Sequence, residues 1–364
     1  MAATGMGFAI LVIFVQLGFY SSVLNTALAV SSRLNGELIL ISPRFVHLSE
    51  AGEIPRARLF QVLAHPKVLS ATPIYFRYVV SRDSATGNYC RLFALGFPLA
   101  DARTAMPLRI PGIDDQLDAL RPTGDVLMDR FTQTRCGPSS PESQFELMGT
   151  AARVVGRFEL GVGFLADGAI VASDDSFGRY FSKLGYSLDR PHLGLIKLAA
   201  GSDPAKVAAG LRERLPSDVR VITREELDAY QHRHWVQNTA VGNIFGMGTV
   251  AGFLVGVVVL FQILSTDIRN HLPLYATLRA MGYTSQRLHG YVLEQSWIFA
   301  VLGYAPALLL TLILFPIIHN VTLLPIFMTG KLAAGVLVLS FIMCTVASML
   351  SSRRLRRADP AELF

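Results

Sequence analysis

The sequence predicts a membrane protein in which an α-helical domain of four spans carries a large α+β domain between spans one and two. Three observations predict it. Charged residues make up 16% of the 364 residues and hydrophobic residues 51%, whereas a soluble domain has roughly 25% charged residues. Four apolar stretches, residues 5–24, 239–264, 296–318 and 332–350, run without Lys, Arg, Asp or Glu, and each is close to the ~20 residues that a helix needs to cross a bilayer. Between the first two lies a long segment of mixed composition with both strand and helix signals.

In chain order, residues 1–29 hold the first span and 30–238 the α+β domain. The second span is 239–264, followed by a connecting loop at 265–290. The third span is 291–318, a short loop covers 319–331, the fourth span is 332–350, and a basic tail fills 351–364. The first span has a rival reading, because "ALAV" at 27–30 offers a small-residue cleavage site; the lack of a basic segment before it and the length of the run favour a span. Gln16 is the strongly polar side chain inside that run. The second span carries Gly242, Gly246, Gly248, Gly252 and Gly256. Glycines four apart let helix backbones approach closely in lipid, so these residues form a packing seam, either between two copies of the chain or against its own helices. Span three contains Pro306 and Pro316, which kink helices at membrane depth.

Within 30–238, "ELILIS" (37–42), "IYFRYVVS" (74–81), "RLFALGF" (91–97), "AIVAS" (169–173), "LGLIKLA" (193–199) and "VRVIT" (219–223) read as strands. Helices fit 55–65 and 203–215, the latter with Asp203 as N-cap and Pro204 in its first turn. Asp174 and Asp175 read as caps of a helix over 177–184. "TRCGPSSPES" (134–143) is a loop.

Short loops set orientation. Arg269, Arg279 and Arg287 lie between spans two and three, and Arg353, Arg354, Arg356 and Arg357 follow span four. "HNVTLLPIFMTG" (319–330) has no Lys or Arg. The connecting loop and both termini are therefore expected in the cytoplasm of a plasma-membrane protein, and 30–238 outside it. There Cys90 and Cys136 are able to pair, a point the sequence leaves open, while Cys344 sits in an apolar run. The net charge of +6 is dispersed, which does not suggest nucleic acid.

There is no GxxxxGK[ST], GxGxxG or HExxH, no Cys/His cluster with zinc spacing and no nucleophile elbow. "HRH" (232–234), beside Tyr230 and Trp235, fits a membrane-interface belt. The chain is not expected to be an enzyme on its own, nor to hold a metal or cofactor.

The loop segment "LPLYATLRAMG" (272–282) is unusual. Pro273 suits a helix start, Leu274, Tyr275, Leu278 and Met281 make one apolar face, and Gly282 suits the end. Such a helix either rests on lipid or docks a cytoplasmic partner.

"YATLRAMGYTSQRLHGYVLEQSWIFAVLGY" (275–304) and the ending "RRLRRADPAELF" (353–364) resemble FtsX/MacB-like ABC transporter permeases. "QLGFYSSVLNTA" (16–27), "VLMDRFTQTRCGP" (126–138) and "VVGRFELGVGFLADGAIVASDDSF" (154–177) resemble the DevC branch of that family, membrane subunits of DevBCA-type exporters. The chain departs from that family in having little sequence ahead of span one. The resemblance implies a homodimeric permease with a periplasmic domain and a separate ABC ATP-binding subunit that binds ATP-Mg. It also implies a periplasmic adaptor (membrane fusion protein), a TolC-like outer-membrane duct, and export of a lipid or other amphiphilic cargo, glycolipid in that branch. Leu274, Tyr275, Leu278, Arg279, Met281 and Gly282 would form the helix that seats in the ATPase. Two alternatives remain: a lipoprotein-releasing permease of the same family, and a membrane receptor or sensor with an extracytoplasmic ligand-binding domain.

Overall fold

A computed structural model of the chain describes residues 2–48, 50–83, 86–136, 140–161, 166–238 and 240–352. The chain divides into a membrane unit (Met1–Ser22, Ala240–Thr322, Ile326–Phe364) and an α+β unit (Val23–Thr239, Leu323–Pro325). The basic tail from Arg353 onward lies outside the described residues.

In the membrane unit, α1 (Ala2–Leu28), α7 (Ala240–Asn270), α9 (Ser285–Thr322) and α10 (Gly330–Ser352) are long helices, and α8 (Leu272–Ala280) is a short one between α7 and α9. The four long helices are apolar enough to span a bilayer over Thr4–Leu28, Gly242–Asn270, Gln286–Thr322 and Gly330–Ser352. The protein is thus a multi-pass, four-span membrane protein. Inside a bilayer every backbone N–H and C=O must be bonded within the segment, which leaves helices as the workable form for these runs. Their shared core includes Met6, Ile10 and Phe14 of α1, Leu260 and Leu264 of α7, Val292 of α9 and Met343 of α10. Leu254, Val258, Leu309, Ile313, Val338 and Ile342 stay exposed, as side chains facing lipid do. Helix α9 runs unbroken through Pro306 and Pro316. Its 38 residues correspond to roughly 57 Å at 1.5 Å per residue, well beyond the ~30 Å hydrocarbon core. Tyr304 donates to the Ala333 carbonyl (2.9 Å) and Trp297 Nε1 to Thr345 Oγ1 (3.3 Å), tying α9 to α10.

The α+β unit is built on a nine-stranded sheet among the described residues, in the order β3-β7-β4-β6-β5-β2-β8-β1-β9, with β3 also paired to β2. The strands are β1 (Leu38–Ile41), β2 (Val68–Arg82), β3 (Tyr89–Phe97), β4 (Asp125–Asp129), β5 (Gln144–Leu147), β6 (Thr150–Phe158), β7 (Gly168–Ser173), β8 (Leu193–Leu198) and β9 (Arg220–Thr223). Strand β2 has two sets of partners. Val68–Ile74 pairs with β8, and Tyr75–Arg82 pairs with β3. The first set continues to β1 and β9, all antiparallel. Helix α2 (Ala57–Leu63) joins β1 to β2, and α5 (Pro204–Arg214) joins β8 to β9. This is a β-α-β-β-α-β arrangement in which β3 to β7 are inserted where the middle hairpin would be. The second set closes a ring of β2, β3, β7, β4, β6 and β5. Smaller helices are α3 (Leu99–Thr104), α4 (Asp174–Phe181) and α6 (Arg224–Arg233).

Each strand of this ring that reads as a continuous apolar run is buried on both faces. In β3, Leu92 and Ala94 enter one core, and Phe93 and Leu95 the other. Strands β4 and β7 are buried at every position. The Cys90–Cys136 disulfide ties β3 to the turn after β4, with Cα atoms 5.2 Å apart. Helix α5 begins as read: Asp203 accepts from the Ala205 N–H at 3.0 Å. The reading of Asp174 and Asp175 as caps is corrected. Ser173 caps α4, its hydroxyl accepting from the Ser176 N–H at 3.2 Å, and the two aspartates fill the first turn. Ser173 has the extended backbone that an N-cap needs (ψ 158°), which the aspartates, already helical, lack.

His192 is buried where β2 leaves β8. Its Nδ1 accepts the Phe76 N–H at 3.2 Å, and its Nε2 lies 2.7 Å from the Tyr186 hydroxyl. Burial, helped by the nearby Arg77, pushes its pKa down to about 4 from the ordinary 6.5. The folded ring therefore stays neutral while an unfolded one takes up a proton. Its contribution to stability is complete above pH 6.5 and is lost as pH falls toward 4, by roughly 3 kcal/mol across that window. Thermal melts between pH 7 and pH 4 should show this slope, and His192→Gln, which keeps an acceptor for Phe76, should flatten it. An unchanged slope in the variant refutes the assignment.

Candidate functional site

Two features of the membrane unit were singled out by the sequence. The first is the glycine seam. A Cβ at Gly248 would lie 2.6 Å from the Gln16 amide carbon, one at Gly252 3.3 Å from Ile13 Cγ1, and one at Gly256 3.1 Å from Ala9 Cβ as well as against the Met343 sulfur. Gly248, Gly252 and Gly256 of α7 thus lie against α1 of the same chain. Gln16 lies over Gly248, where any side chain would displace its amide. Within the single chain Gly246 meets nothing within 4 Å, because a position two residues from Gly248 lies about 200° around the helix. Gly242, in the first turn of α7, is buried.

The second feature is α8. His271 accepts from Tyr275 N–H through its carbonyl (3.1 Å), and the Thr277 hydroxyl bonds the Pro273 carbonyl (2.9 Å). The helix ends as Gly282 takes φ +93°, and the Tyr283 N–H reaches back to the Leu278 carbonyl at 3.1 Å. That six-to-one bond with a left-handed glycine is a Schellman-type stop. The reading of four residues on one apolar face is corrected. Tyr275 and Leu278 pack against the membrane core, whereas Leu274 is 58% exposed and Met281 62%. Residues seven apart differ by only ~20° around a helix, so Leu274 and Met281 share one line; Tyr275 and Leu278 lie to one side of it. The stripe is divided between inward anchors and outward knobs. The Arg279 side chain lies outside what the structure describes.

Below α8, Asp267 of α7 accepts from Gln295 Nε2 of α9 (2.9 Å) and stands 3.4 Å from His271 Nδ1. This carboxylate therefore crosslinks the two helices on either side of α8. Arg269 bonds its own helix at the Ser265 carbonyl (3.2 Å).

In the α+β unit, the "HRH" segment is divided. His232 and Arg233 end α6, and His234 opens a π-helical turn, His234–Asn238. The His234 ring stacks on His47 at 4.0 Å and meets Trp235 edge-on at 5.8 Å. Cys90, Cys136 and Asp167 bring three ligand-type atoms together, but the two sulfurs are bonded to each other and offer no thiolate.

The seam predicts a contrast. Gly256→Leu should force α1 and Met343 away from α7 and lower the stability of the purified protein by about 1–3 kcal/mol or more, while Gly246→Leu should leave it unchanged. Melting both in the same detergent decides it; equal effects would show that α7 does not seat on α1 through this face.

Comparison with known proteins follows from this geometry. Residues 246–360 match a family model described as FtsX-like permease C-terminal. No curated protein matches the chain. Among solved structures, the periplasmic region of MacB from Actinobacillus actinomycetemcomitans is similar at 10% identity and a TM-score of 0.39, covering 57% of this chain and 95% of that one. The extracellular domain of the ABC-type transporter YknZ from Gram-positive bacteria is similar at 8% identity and a TM-score of 0.36, covering 52% of this chain and all (100%) of that one. The chain is a multi-pass membrane protein whose residues 246–360 match the FtsX-like permease C-terminal model.

Proposed function

We propose that the chain is the membrane subunit of an ATP-driven ABC exporter, with ATP-Mg bound and hydrolysed by a separate ATP-binding subunit that docks on α8. The observation that carries this reading is the outward pair Leu274 and Met281, held in place by Tyr275 and Leu278 within the region that matches FtsX-like permeases. Large exposed apolar side chains on an otherwise anchored short helix are knobs for a groove. The arginines of the α7–α9 connection support a cytoplasmic position for α8. The Cys90–Cys136 disulfide supports the opposite, oxidising side for the α+β unit.

In this mechanism ATP closes two ATPases beneath a permease homodimer. Leu274 and Met281 follow the ATPase surface, and Tyr275, Leu278 and the Asp267–Gln295 crosslink pass the motion to α7 and α9. The α+β unit then works on cargo through a periplasmic adaptor and a TolC-like duct. A lipid-like or amphiphilic cargo, glycolipid by resemblance to the DevC branch, fits such a route because none of it needs to cross between the spans.

The test is co-purification from native membranes in mild detergent. Leu274→Asp and Met281→Asp each place an unpaired charge where an apolar contact is proposed, which should reduce the recovered ATPase by roughly tenfold or more without changing the melting temperature. Leu278→Ala should instead lower the melting temperature. Undiminished ATPase recovery with both outward variants would leave α8 as a helix resting on lipid and overturn the docking assignment.

A further inference from the structure

The α+β unit contains a cavity unrelated to α8. On one edge of β2, pairing with β8 ends at Ile74 and pairing with β5 begins only at Ser81. A cavity of about 450 Å³ lies at this gap, lined by Phe76, Arg77, Tyr78, Arg91, Tyr186 and His192. Its size falls in the range of small-molecule sites, about 300–1,000 Å³.

The two arginines are held in a particular way. The Arg77 guanidinium lies 4.5 Å from the centroid of the Tyr186 ring, and that of Arg91 4.8 Å from the centroid of Tyr78. Neither makes an ion pair with a carboxylate among the described residues. Arg77 also hydrogen-bonds the Tyr186 side chain; stacking uses the flat face of a guanidinium and leaves its remaining in-plane N–H groups for a further acceptor. Glu50 and Glu53 also line the cavity; Glu50 is exposed, and Glu53 faces Arg190 at 3.7 Å.

Beneath them the floor is fixed. His192 Nδ1 accepts from Phe76 N–H, so the neutral ring carries its proton on Nε2 and gives it to the Tyr186 oxygen. That oxygen acts as an acceptor toward His192, which leaves the Tyr186 O–H proton for another acceptor. His192 is only 6% exposed.

We infer that this cavity is a binding site for a small organic anion, whose carboxylate or phosphate is bonded by the in-plane N–H groups of Arg77 and by the Tyr186 hydroxyl, while Arg91, on the opposite face of the β2–β3 pair, adds positive charge to the cavity wall. The volume exceeds what a bare oxyanion fills, so an organic body belongs beside the Phe76 side of the cavity. The assignment concerns the α+β unit by itself and does not depend on the exporter reading.

The experiment is calorimetric titration of the full chain, in a neutral detergent, with phenyl phosphate and with benzoate. Benzyl alcohol serves as the uncharged ring and inorganic phosphate as the bare ion. Saturable binding of at least one of the two organic anions is expected, weakened about tenfold by Arg77→Gln, weakened to a lesser extent by Arg91→Gln, and weakened by added salt. Tyr186→Phe keeps the ring under Arg77 and removes the hydroxyl, and should weaken binding several-fold. Arg91 is exposed, so its variant should keep the Cys90–Cys136 disulfide and the native melting temperature even if Arg77→Gln does not. Binding unchanged in Arg91→Gln and Tyr186→Phe overturns the proposal. So does benzyl alcohol binding as tightly as the anions, inorganic phosphate binding as tightly as phenyl phosphate, or no binding of either organic anion up to about 10 mM.

Discussion

The backbone of β2 has to satisfy two sheets at once, and the α+β unit depends on how it does so. Over Val68–Ile74 its hydrogen bonds go to β8, and over Tyr75–Arg82 to β3. A strand that changes partners leaves N–H and C=O groups at the changeover, and a buried unpaired one costs about 1–3 kcal/mol. The Phe76 N–H is at that point, and His192 Nδ1 takes it. A side chain thus stands in for the missing strand. Tyr75, next to it, sends its hydroxyl to the Leu188 carbonyl at 2.6 Å, and so fixes the segment that leads into β8. The gap that results is also where the arginine-lined cavity opens, so the same changeover that threatens the sheet creates the recess.

The membrane unit answers a different constraint. Between helices in lipid there is no hydrophobic driving force, and close contact has to come from shape. Gly248, Gly252 and Gly256 supply it by giving α1 a flat track on α7. This makes the seam part of the single chain's own fold, and it fixes α7 to the one span that precedes the α+β unit in sequence. Asp267 adds a polar tie from α7 to α9 at the end where α8 begins. In consequence α8 is joined to helices that are themselves crosslinked, which is what a transmitting element needs.

Much of this was legible in the sequence because its physics is local. The spans follow from length and the absence of charge. The strands β1, β2, β3, β7, β8 and β9 follow from β-branched and aromatic runs, and Asp203–Pro204 announces α5. Strands β4, β5 and β6 were not read, because their signals are set by distant partners. Strand β4 begins and ends with an aspartate, Asp125 and Asp129, which argues against a strand locally. In the fold Asp125 is held by Arg153 of the neighbouring β6 at 2.7 Å. Asp129 accepts the N–H groups of Phe131, Leu160 and Gly161; burial still pushes its pKa up against those bonds. The cavity was equally invisible, since Arg77, Arg91, Tyr186 and His192 come from separate segments and no spacing links them.

The division of the α8 stripe shows how a sequence pattern can be right about chemistry and incomplete about geometry. Four apolar residues in the eight positions 274–281 identify an amphipathic helix, but periodicity alone does not say how many surfaces the apolar side meets. A helix that only packed inward would bury all four. Here Tyr275 and Leu278 are committed to the bundle, and Leu274 and Met281 are withheld from it. The Schellman-type stop at Gly282 then turns the chain directly into α9, whose first residues add Leu288 and Val292 to the same core. A force applied to Leu274 and Met281 is therefore applied, within one helical turn, to the side chains that seat α8 and to the start of the longest helix in the unit.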